Sequence, residues 1–206
     1  MHPALRSLEP TLVELLAAQP AAGRPWFSLA LPLPQIEWTP ALSVDLPHVY
    51  WAQPGDSLMR VGLGRIAETR ISGYGQLAGL AAARRDLAAG RQEAGPCVGA
   101  ITDPLFVAFP FNAASDANRH QARLFLPEVL IEIAGNQATL LVSCARSGLL
   151  QPARQCVRWL ELLDRLIGAE TGGAELAEPA WQPIAGNDEA ERWRDRVDNA
   201  LSAIAT

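Results

Sequence analysis

The chain contains no lysine, so all 17 of its basic residues are arginines. A guanidinium stays protonated at any physiological pH, and it cannot act as an amine base or form a Schiff base. The sequence therefore excludes both kinds of lysine chemistry. A GC-rich genome that replaces lysine codons with arginine codons would also explain the bias, and it leaves this chemical consequence unchanged.

Cysteine is also scarce, with only Cys97, Cys144 and Cys156 in 206 residues. No two of them have the C-x-x-C spacing of a zinc or redox site. Cys97 and Cys144 fall in apolar, strand-like segments, where a free cysteine behaves as a small core hydrophobe. We therefore predict unreactive thiols, no metal site and a reducing, cytoplasmic location.

Long apolar runs and clustered positive charge are missing as well. No segment approaches the roughly 18 uninterrupted apolar residues of a membrane span, and Met1–Arg6 does not resemble the start of a signal peptide. The formal net charge is -5, and no basic run is longer than Arg84-Arg85. A nucleic-acid surface is therefore not expected. The length and the 49% apolar content suit a soluble globular domain.

Three segments have the apolar periodicity of amphipathic helices. The first is predicted over residues 5–19, where leucines recur at three- and four-residue spacing before Pro20. The second runs from Gln76 to Ala89 and ends at Gly90. The third covers residues 152–167, and its predicted buried face consists of Val157, Leu160, Leu163, Leu166 and Ile167.

Strands are predicted before the second helix. Residues 26–31 form an apolar strand between proline-rich flanks, which suggests the edge of a sheet. Residues 48–53 and 58–63 are predicted to pair as a hairpin through a turn at Pro54-Gly55-Asp56. Residues 66–71 provide a further strand.

A second strand-rich region follows that helix. Strands are predicted at residues 97–101 and 105–111, and residues 113–122 are polar enough to form a loop. Residues 123–144 are predicted to form a hairpin that turns at Gly135-Asn136. Together these segments predict one α+β domain over residues 1–168.

The periodicity is lost over residues 169–187, where Gly, Ala, Glu and Pro indicate a linker. A last helix is predicted over residues 188–206, capped by Asp188, with an apolar stripe that includes Trp193 and Val197. Such a stripe needs a surface to bury it. Either this helix docks on the preceding domain, or it opens a further domain.

A set of motifs with a recognisable order lies within residues 45–145. The segments are 48–53 (HVYWAQ), 61–64 (VGLG), 98–100 (VGA), 109–112 (FPFN) and 122–128 (ARLFLPE). This order, followed by the helix that contains Trp193, resembles the amino-terminal half of isochorismate synthases, which are chorismate-utilising enzymes.

The resemblance implies an antiparallel, sheet-rich α+β domain with flanking helices that wraps around a chorismate-binding core, and a helix at residues 188–206 that opens that core. Catalysis in the family uses a lysine as general base toward water, a glutamic acid partner, and glutamates that bind magnesium beside the chorismate carboxylate. All of these lie outside the matched region. The resemblance therefore implies no catalytic, cofactor-binding or metal-binding residue in this chain, and magnesium only for an intact family member.

Two departures from the family pattern concern the matched half. Asn112 stands where an Asp is usual, and the Trp that commonly follows is not evident in residues 113–122. The Leu-Leu-Glu-Ser motif of the tryptophan feedback site in anthranilate synthases is also missing, and Leu15-Leu16-Ala17-Ala18 is the nearest match. We therefore do not expect the anthranilate branch or feedback control.

The strongest candidate for an independent site is the group His120, Arg123 and Glu128. Strand alternation places Arg123 and Glu128 on opposite faces, and a metal site usually needs three or four converging ligands. Two other patterns are also incomplete, namely Asp45 with His48, which has no third partner, and Gly62-Leu63-Gly64, which lacks the third glycine of a dinucleotide loop. We therefore predict no site residue.

Two functions remain open. In the first, the chain is the accessory half of an isochorismate synthase for menaquinone or siderophore biosynthesis, inactive alone and packed against a chorismate-binding catalytic domain. In the second, it is a stand-alone small-molecule-binding or protein-interaction module derived from that fold, with residues 189–204 docked on its own domain. We favour the first, because an exposed apolar stripe usually marks an interaction surface.

Overall fold

The apolar periodicity of the sequence is realised as α-helices and β-strands in a computed structural model of the chain. The structure describes residues 2–20, 22–33, 48–53, 58–72, 76–108 and 121–168. The predicted turn at residues 54–56, nearly all of the loop at 113–122, the linker and the last helix lie outside these residues. No helix within the described ranges is long and apolar enough to cross a membrane.

Nine strands form two sheets in this part of the chain. In chain order they are β1 (Trp26–Pro32), β2 (His48–Gln53), β3 (Leu58–Leu63), β4 (Ala67–Ile71), β5 (Arg91–Ala94), β6 (Phe106–Ala108), β7 (Ala122–Leu126), β8 (Val129–Ala134) and β9 (Gln137–Ala145). The larger sheet has the order β2-β3-β8-β9-β1-β5, and the smaller sheet has the order β4-β7-β6. The described residues thus have the predicted α+β fold.

The strands pair mostly as antiparallel neighbours. The predicted hairpin of β2 and β3 is confirmed, with His48 opposite Leu63 and Gln53 opposite Leu58. Strands β8 and β9 form the second predicted hairpin, whose turn includes Gly135 at a φ of 57°. The exception is β5, which runs parallel to β1 at one edge of the larger sheet.

Three helices cover one face of the larger sheet, namely α1 (Pro3–Arg6), α2 (Glu9–Ala17) and α4 (Pro152–Gly168). The predicted helix at residues 5–19 is therefore divided in two, but its leucines Leu5, Leu12 and Leu16 are buried as its periodicity requires. They pack with alternate residues of the central strands and with Trp159 of α4. Full burial of each such side chain stabilises the fold by about 1.5–3 kcal/mol relative to exposure.

The opposite face of the larger sheet is covered by different residues. Ala30, Leu130 and Leu141 pack there against Ile101 and the partly buried Phe106. The remaining helix, α3 (Gln76–Ala89), lies on the smaller sheet and begins and ends as predicted. Each face of the larger sheet therefore has its own apolar cover.

The structure corrects the prediction that β1 lies at a sheet edge. Strand β1 lies between β9 and β5, and Phe27 and Leu29 are completely buried. Its flanking prolines do not interrupt the ladder, because Pro25 precedes the strand and Pro32 is its last residue. The proline pattern marks the ends of this strand and not its place in the sheet.

One predicted strand is wrong, and the first arm of the second hairpin is interrupted. Residues 97–101 form turns, because Gly95 and Gly99 adopt positive φ angles of 104° and 79° that are incompatible with a strand. The short strand β5 precedes these turns and was not predicted. The predicted hairpin over residues 123–144 is interrupted at Pro127-Glu128, before its turn, so that β7 joins the smaller sheet and β8 the larger one.

Helix α4 occupies almost the predicted range, but its buried face is rotated. Val157 is 46% exposed, whereas Cys156 and Trp159 are completely buried. Consecutive residues of a helix lie about 100° apart, so burial of Cys156 turns Val157 toward the edge of the packed face. Ile167 is one of the residues whose side chain the structure does not describe.

Candidate functional site

A polar groove with a volume of about 760 Å³ lies between α4, the end of β9 and the segment that follows β3. A short 3-10 helix, Arg146–Leu150, forms part of its wall. The polar side chains that line the groove include Arg65, Glu128, Gln151, Arg154, Gln155 and Arg158.

Glu128 is the buried carboxylate of this groove, with 3% of its surface exposed. It lies in the two-residue link between β7 and β8, where Pro127 ends one strand. Its backbone N–H donates to the carbonyl of Leu63 at 3.0 Å, and its carbonyl accepts from the N–H of Ser143 at 2.7 Å. Gly64 has a φ of 65°, and a Cβ there would come within 3.1 Å of the Glu128 side chain.

Both oxygens of this carboxylate are held by α4. Arg158 donates through Nη2 to Oε2 at 2.8 Å and through Nε to Oε1, and Gln155 donates to Oε1 at 3.4 Å. The hydrogen bond and the negative charge of Glu128 raise the pKa of the Arg158 guanidinium. A two-pronged arginine contact fixes the orientation of a carboxylate as well as compensating its charge. The pair is therefore suited to fixing α4 on the sheet.

The thiols near the groove are protonated at neutral pH. Burial, with a smaller contribution from the charge of Glu128, raises the pKa of Cys144 to about 12. Burial, with a smaller contribution from Glu9, raises the pKa of Cys156 to about 11. Since the thiolate is the nucleophilic form, neither side chain is suited to covalent catalysis. The prediction of core cysteines at positions 97 and 144 is confirmed for Cys144, whereas Cys97 is only partly buried.

The structure separates the members of the strongest candidate site. Arg123 lies on β7 with 47% of its side chain exposed and has Glu68 at 4.0 Å, whereas Glu128 pairs with Arg158. His120 lies outside the described residues, as does Asp45 of the second candidate pattern. Gly62-Leu63-Gly64 ends β3 as predicted, and a Cβ at Gly62 would overlap the side chain of Val49.

The acidic side chains within the described ranges do not converge on a common point. No group of three or more His, Cys, Asp or Glu side chains within those ranges could hold a metal ion. Several carboxylates instead pair with arginines across or along strands, as in Arg60–Glu132 at 2.6 Å and Arg91–Glu93 at 2.7 Å. Glu68 is a further carboxylate paired with arginine, and the hydrogen bond from Arg70 is the largest cause of its lowered pKa.

Exposed aromatic side chains lie on β2, the first strand of the larger sheet. Tyr50 is 44% exposed and Trp51 is 42% exposed. No described strand pairs with the outer edge of β2. The two residues are consecutive and point to opposite faces, so this edge carries an exposed ring on each side.

Comparison with known proteins gives one family. The model of a family described as chorismate binding enzyme matches residues 15–206. Among solved structures, the chain is similar to MenF, the menaquinone-specific isochorismate synthase from Escherichia coli, with 20% identity and a TM-score of 0.49. The match covers 78% of this chain and 34% of that one, so the chain spans about a third of the length of MenF. No curated protein sequence matched the chain.

Proposed function

The chain belongs to the chorismate-binding enzyme family, and from this premise we propose that it is the amino-terminal, non-catalytic part of an isochorismate synthase. Such an enzyme isomerises chorismate to isochorismate, and the product would supply menaquinone or siderophore biosynthesis. In this proposal the chain acts in the cytoplasm, and magnesium is bound by the catalytic part alone.

The observation that supports a non-catalytic role is the hydrogen bonding of the Glu128 carboxylate. Arg158 and Gln155 occupy both of its oxygens, and the thiol of Cys144 beside it stays protonated. The chain also contains no lysine that could act as a base. Glu128, Arg158 and Gln155 therefore hold α4 against the sheet.

The order of the family-like motifs supports the same proposal. The segments at residues 48–53 and 61–64 contribute β2 and β3, and the segment at 122–128 contributes β7 and the link that contains Glu128. The Glu128 backbone bonds directly to Leu63 at the end of β3. These motifs are therefore adjacent in the fold, with β2 and β3 in the larger sheet and β7 in the smaller one.

We propose that the catalytic domain packs at the outer edge of β2. An edge strand presents backbone N–H and C=O groups that can pair with another chain. The exposed rings of Tyr50 and Trp51 would flank a strand added there, one on each face of the sheet. Large amphipathic aromatic side chains are enriched in protein interfaces.

The first test is turnover. The purified chain is incubated with chorismate and magnesium, and the products are separated by chromatography. We expect no isochorismate from this chain alone. Steady conversion that depends on the concentration of the chain would show that it has a catalytic site and would contradict the proposal.

The second test concerns the partner. A separately expressed catalytic domain of an isochorismate synthase from the same organism should bind the chain and become more stable or more active. Trp51→Ser should weaken this binding, whereas Leu77→Ser, at a residue that is 72% exposed on α3, should not. A catalytic domain that is fully active and stable without the chain would contradict the accessory role.

A third test is the size of the native product, measured with an antibody raised against this chain. A band well above the 22.1 kDa of this sequence would support a part of a longer enzyme. A band at 22.1 kDa would favour the second candidate function, a stand-alone ligand-binding or interaction module. A cavity of about 350 Å³ between α3, β5 and residues 102–105 also favours that candidate.

A further inference from the structure

The smaller sheet carries an exposed pair of arginines on the face that points away from α3. Arg70 on β4 and Arg123 on β7 lie directly opposite each other in the antiparallel register. Ala122 and Leu124, the chain neighbours of Arg123, pack with α3 and therefore point to the other face of the sheet. The side chains of Arg70 and Arg123 are 51% and 47% exposed, so solvent and a partner can reach both guanidinium groups.

The position of Arg123 in the sheet is unfavourable for a positive charge. Like charges directly opposite each other on neighbouring strands destabilise a sheet, whereas opposite charges stabilise it. Strand β7 is the central strand, and Arg123 has Arg70 opposite it on β4 and Ala108 opposite it on β6. One neighbour repels the guanidinium and the other has no polar side-chain atom. The cross-strand neighbours therefore give Arg123 no acceptor.

Glu68 on β4 offsets only part of this positive charge. Arg70 donates to both of its carboxylate oxygens at 3.2 Å, and Arg65 donates to Oε2 at 3.1 Å. Nη1 of Arg123 lies 4.0 Å from Oε1, which is beyond hydrogen-bonding distance. In the part of the chain that the structure describes, three guanidinium groups thus share one carboxylate, and the donors of Arg123 are exposed and without a hydrogen bond.

We propose that this arginine face binds an acidic segment of a partner protein. A carboxylate of the segment would accept from Arg123, and a second carboxylate would lie near Arg70 and Arg65. Arginine presents its donors in a geometry that matches a carboxylate, and arginine clusters are a common means of recognising acidic motifs. The bound carboxylates would also remove the repulsion between Arg70 and Arg123.

The exposure of the cluster and the charge of the chain favour a short acidic segment over other anions. Exposed ion pairs are weak one at a time, so a single small anion would be held poorly and several linked carboxylates are needed. The chain has a net charge of -5, so a long polyanion such as a nucleic acid would be repelled outside this face. This inference is independent of the role of the chain in chorismate chemistry.

The test is a nuclear magnetic resonance titration of the ¹⁵N-labelled chain with a peptide of six glutamates at low ionic strength. We expect saturable shifts centred on the amides of residues 67–71 and 122–126, and weaker binding in about 150 mM salt because exposed charges are screened. A peptide of six glutamines should bind at least tenfold more weakly, and a thymidine hexanucleotide should bind more weakly than the glutamate peptide. Glutamate binding no tighter than glutamine, tighter binding of the nucleotide, or shifts centred on other regions would overturn the proposal.

The variants remove one charge at a time. Arg123→Gln and Arg70→Gln should each weaken binding of the glutamate peptide about fivefold, the upper range for one exposed ion pair. Arg85→Gln is the matched control, because Arg85 is an exposed arginine of α3 that bonds only to the carbonyl of Ala81 in its own helix. It should leave the affinity unchanged.

A urea unfolding curve separates lost binding from lost structure. Arg123→Gln removes a like-charge contact, so its unfolding midpoint should equal that of the parent chain or exceed it. If Arg123→Gln fails to fold, Arg70→Gln decides the question. An affinity for the glutamate peptide that is unchanged in the folded variants, or that falls equally in Arg85→Gln, would refute the site.

Discussion

Replacing Arg158 with methionine would leave the Glu128 carboxylate buried with Gln155 as its remaining side-chain partner. Removal of one partner from a fully buried pair costs about 3–5 kcal/mol. Here the carboxylate is 3% exposed but the arginine side chain is 64% exposed, so water reaches one end of the pair. We therefore expect Arg158→Met to lower the free energy of unfolding by about 2 kcal/mol, between the buried and the surface cases.

The matched control for this prediction is Arg84→Met. Arg84 is 60% exposed, close to Arg158, but its partner Asp103 is 36% exposed. Surface pairs of this kind contribute about 0–1 kcal/mol, so the control should lose less than about 1 kcal/mol. The comparison isolates the burial of the carboxylate, because the two arginines have similar exposure and the substitution is the same.

The assay is urea unfolding at pH 7, followed by tryptophan fluorescence and by circular dichroism. We expect Arg158→Met to lower the urea concentration at the unfolding midpoint and to leave the slope of the free energy against urea unchanged. The reason is that the surface area exposed on unfolding should not change. A Glu128→Gln, Arg158→Met double variant should lose less than the sum of the single losses, with a coupling of about 1–2 kcal/mol. The reasoning is refuted if Arg158→Met costs no more than the Arg84 control.

The remaining predictions concern glycines, thiols and the core. Gly95→Ala should lower the free energy of unfolding by about 3 kcal/mol or more, because the φ is positive and a Cβ would overlap a carbonyl of β1. Gly99 has open space around it, so Gly99→Ala should lower that free energy by only about 1 kcal/mol in the same urea assay. Burial raises the pKa of Cys144 to about 12 and of Cys156 to about 11, so the unfolded chain loses these protons at a lower pH than the folded chain. The free energy of unfolding should therefore fall above pH 9.0, by up to about 1.4 kcal/mol per pH unit for each thiol. Replacing both cysteines with alanine should remove this slope, and an unchanged slope would contradict the assignment. Trp159→Ala should cost about 3–5 kcal/mol and abolish much of the near-ultraviolet circular dichroism, because this side chain is completely buried.

Much of the local structure follows from patterns within short segments. The alternation and turn residues around 48–63 predict the β2–β3 hairpin, and the periodicity of residues 76–89 predicts both ends of α3. The same patterns predict α4 almost to its ends. These elements need only neighbouring residues, because a turn or a helical stripe is encoded within one segment.

Family membership was also predictable, because it depends on the order of motifs along the chain. The resemblance to chorismate-utilising enzymes is confirmed by the family match over residues 15–206.

Local patterns do not predict how the elements are arranged. The prolines around β1 suggest a sheet edge, yet β1 lies between β9 and β5, because the pairing partners come from distant segments.

The candidate sites depend almost entirely on the tertiary structure. In the sequence, Glu128 is an ordinary polar residue after a proline, 30 positions from Arg158. Its burial becomes possible only when α4 packs on the sheet and supplies the two-pronged arginine contact that compensates for lost hydration. The ion pair of Arg91 with Glu93 is likewise largely buried only because β5 joins β1 in the larger sheet. The sequence by itself determined the main helices, the hairpins and the family to which the chain belongs. The tertiary structure decided which charges are buried, because burial depends on contacts between distant segments.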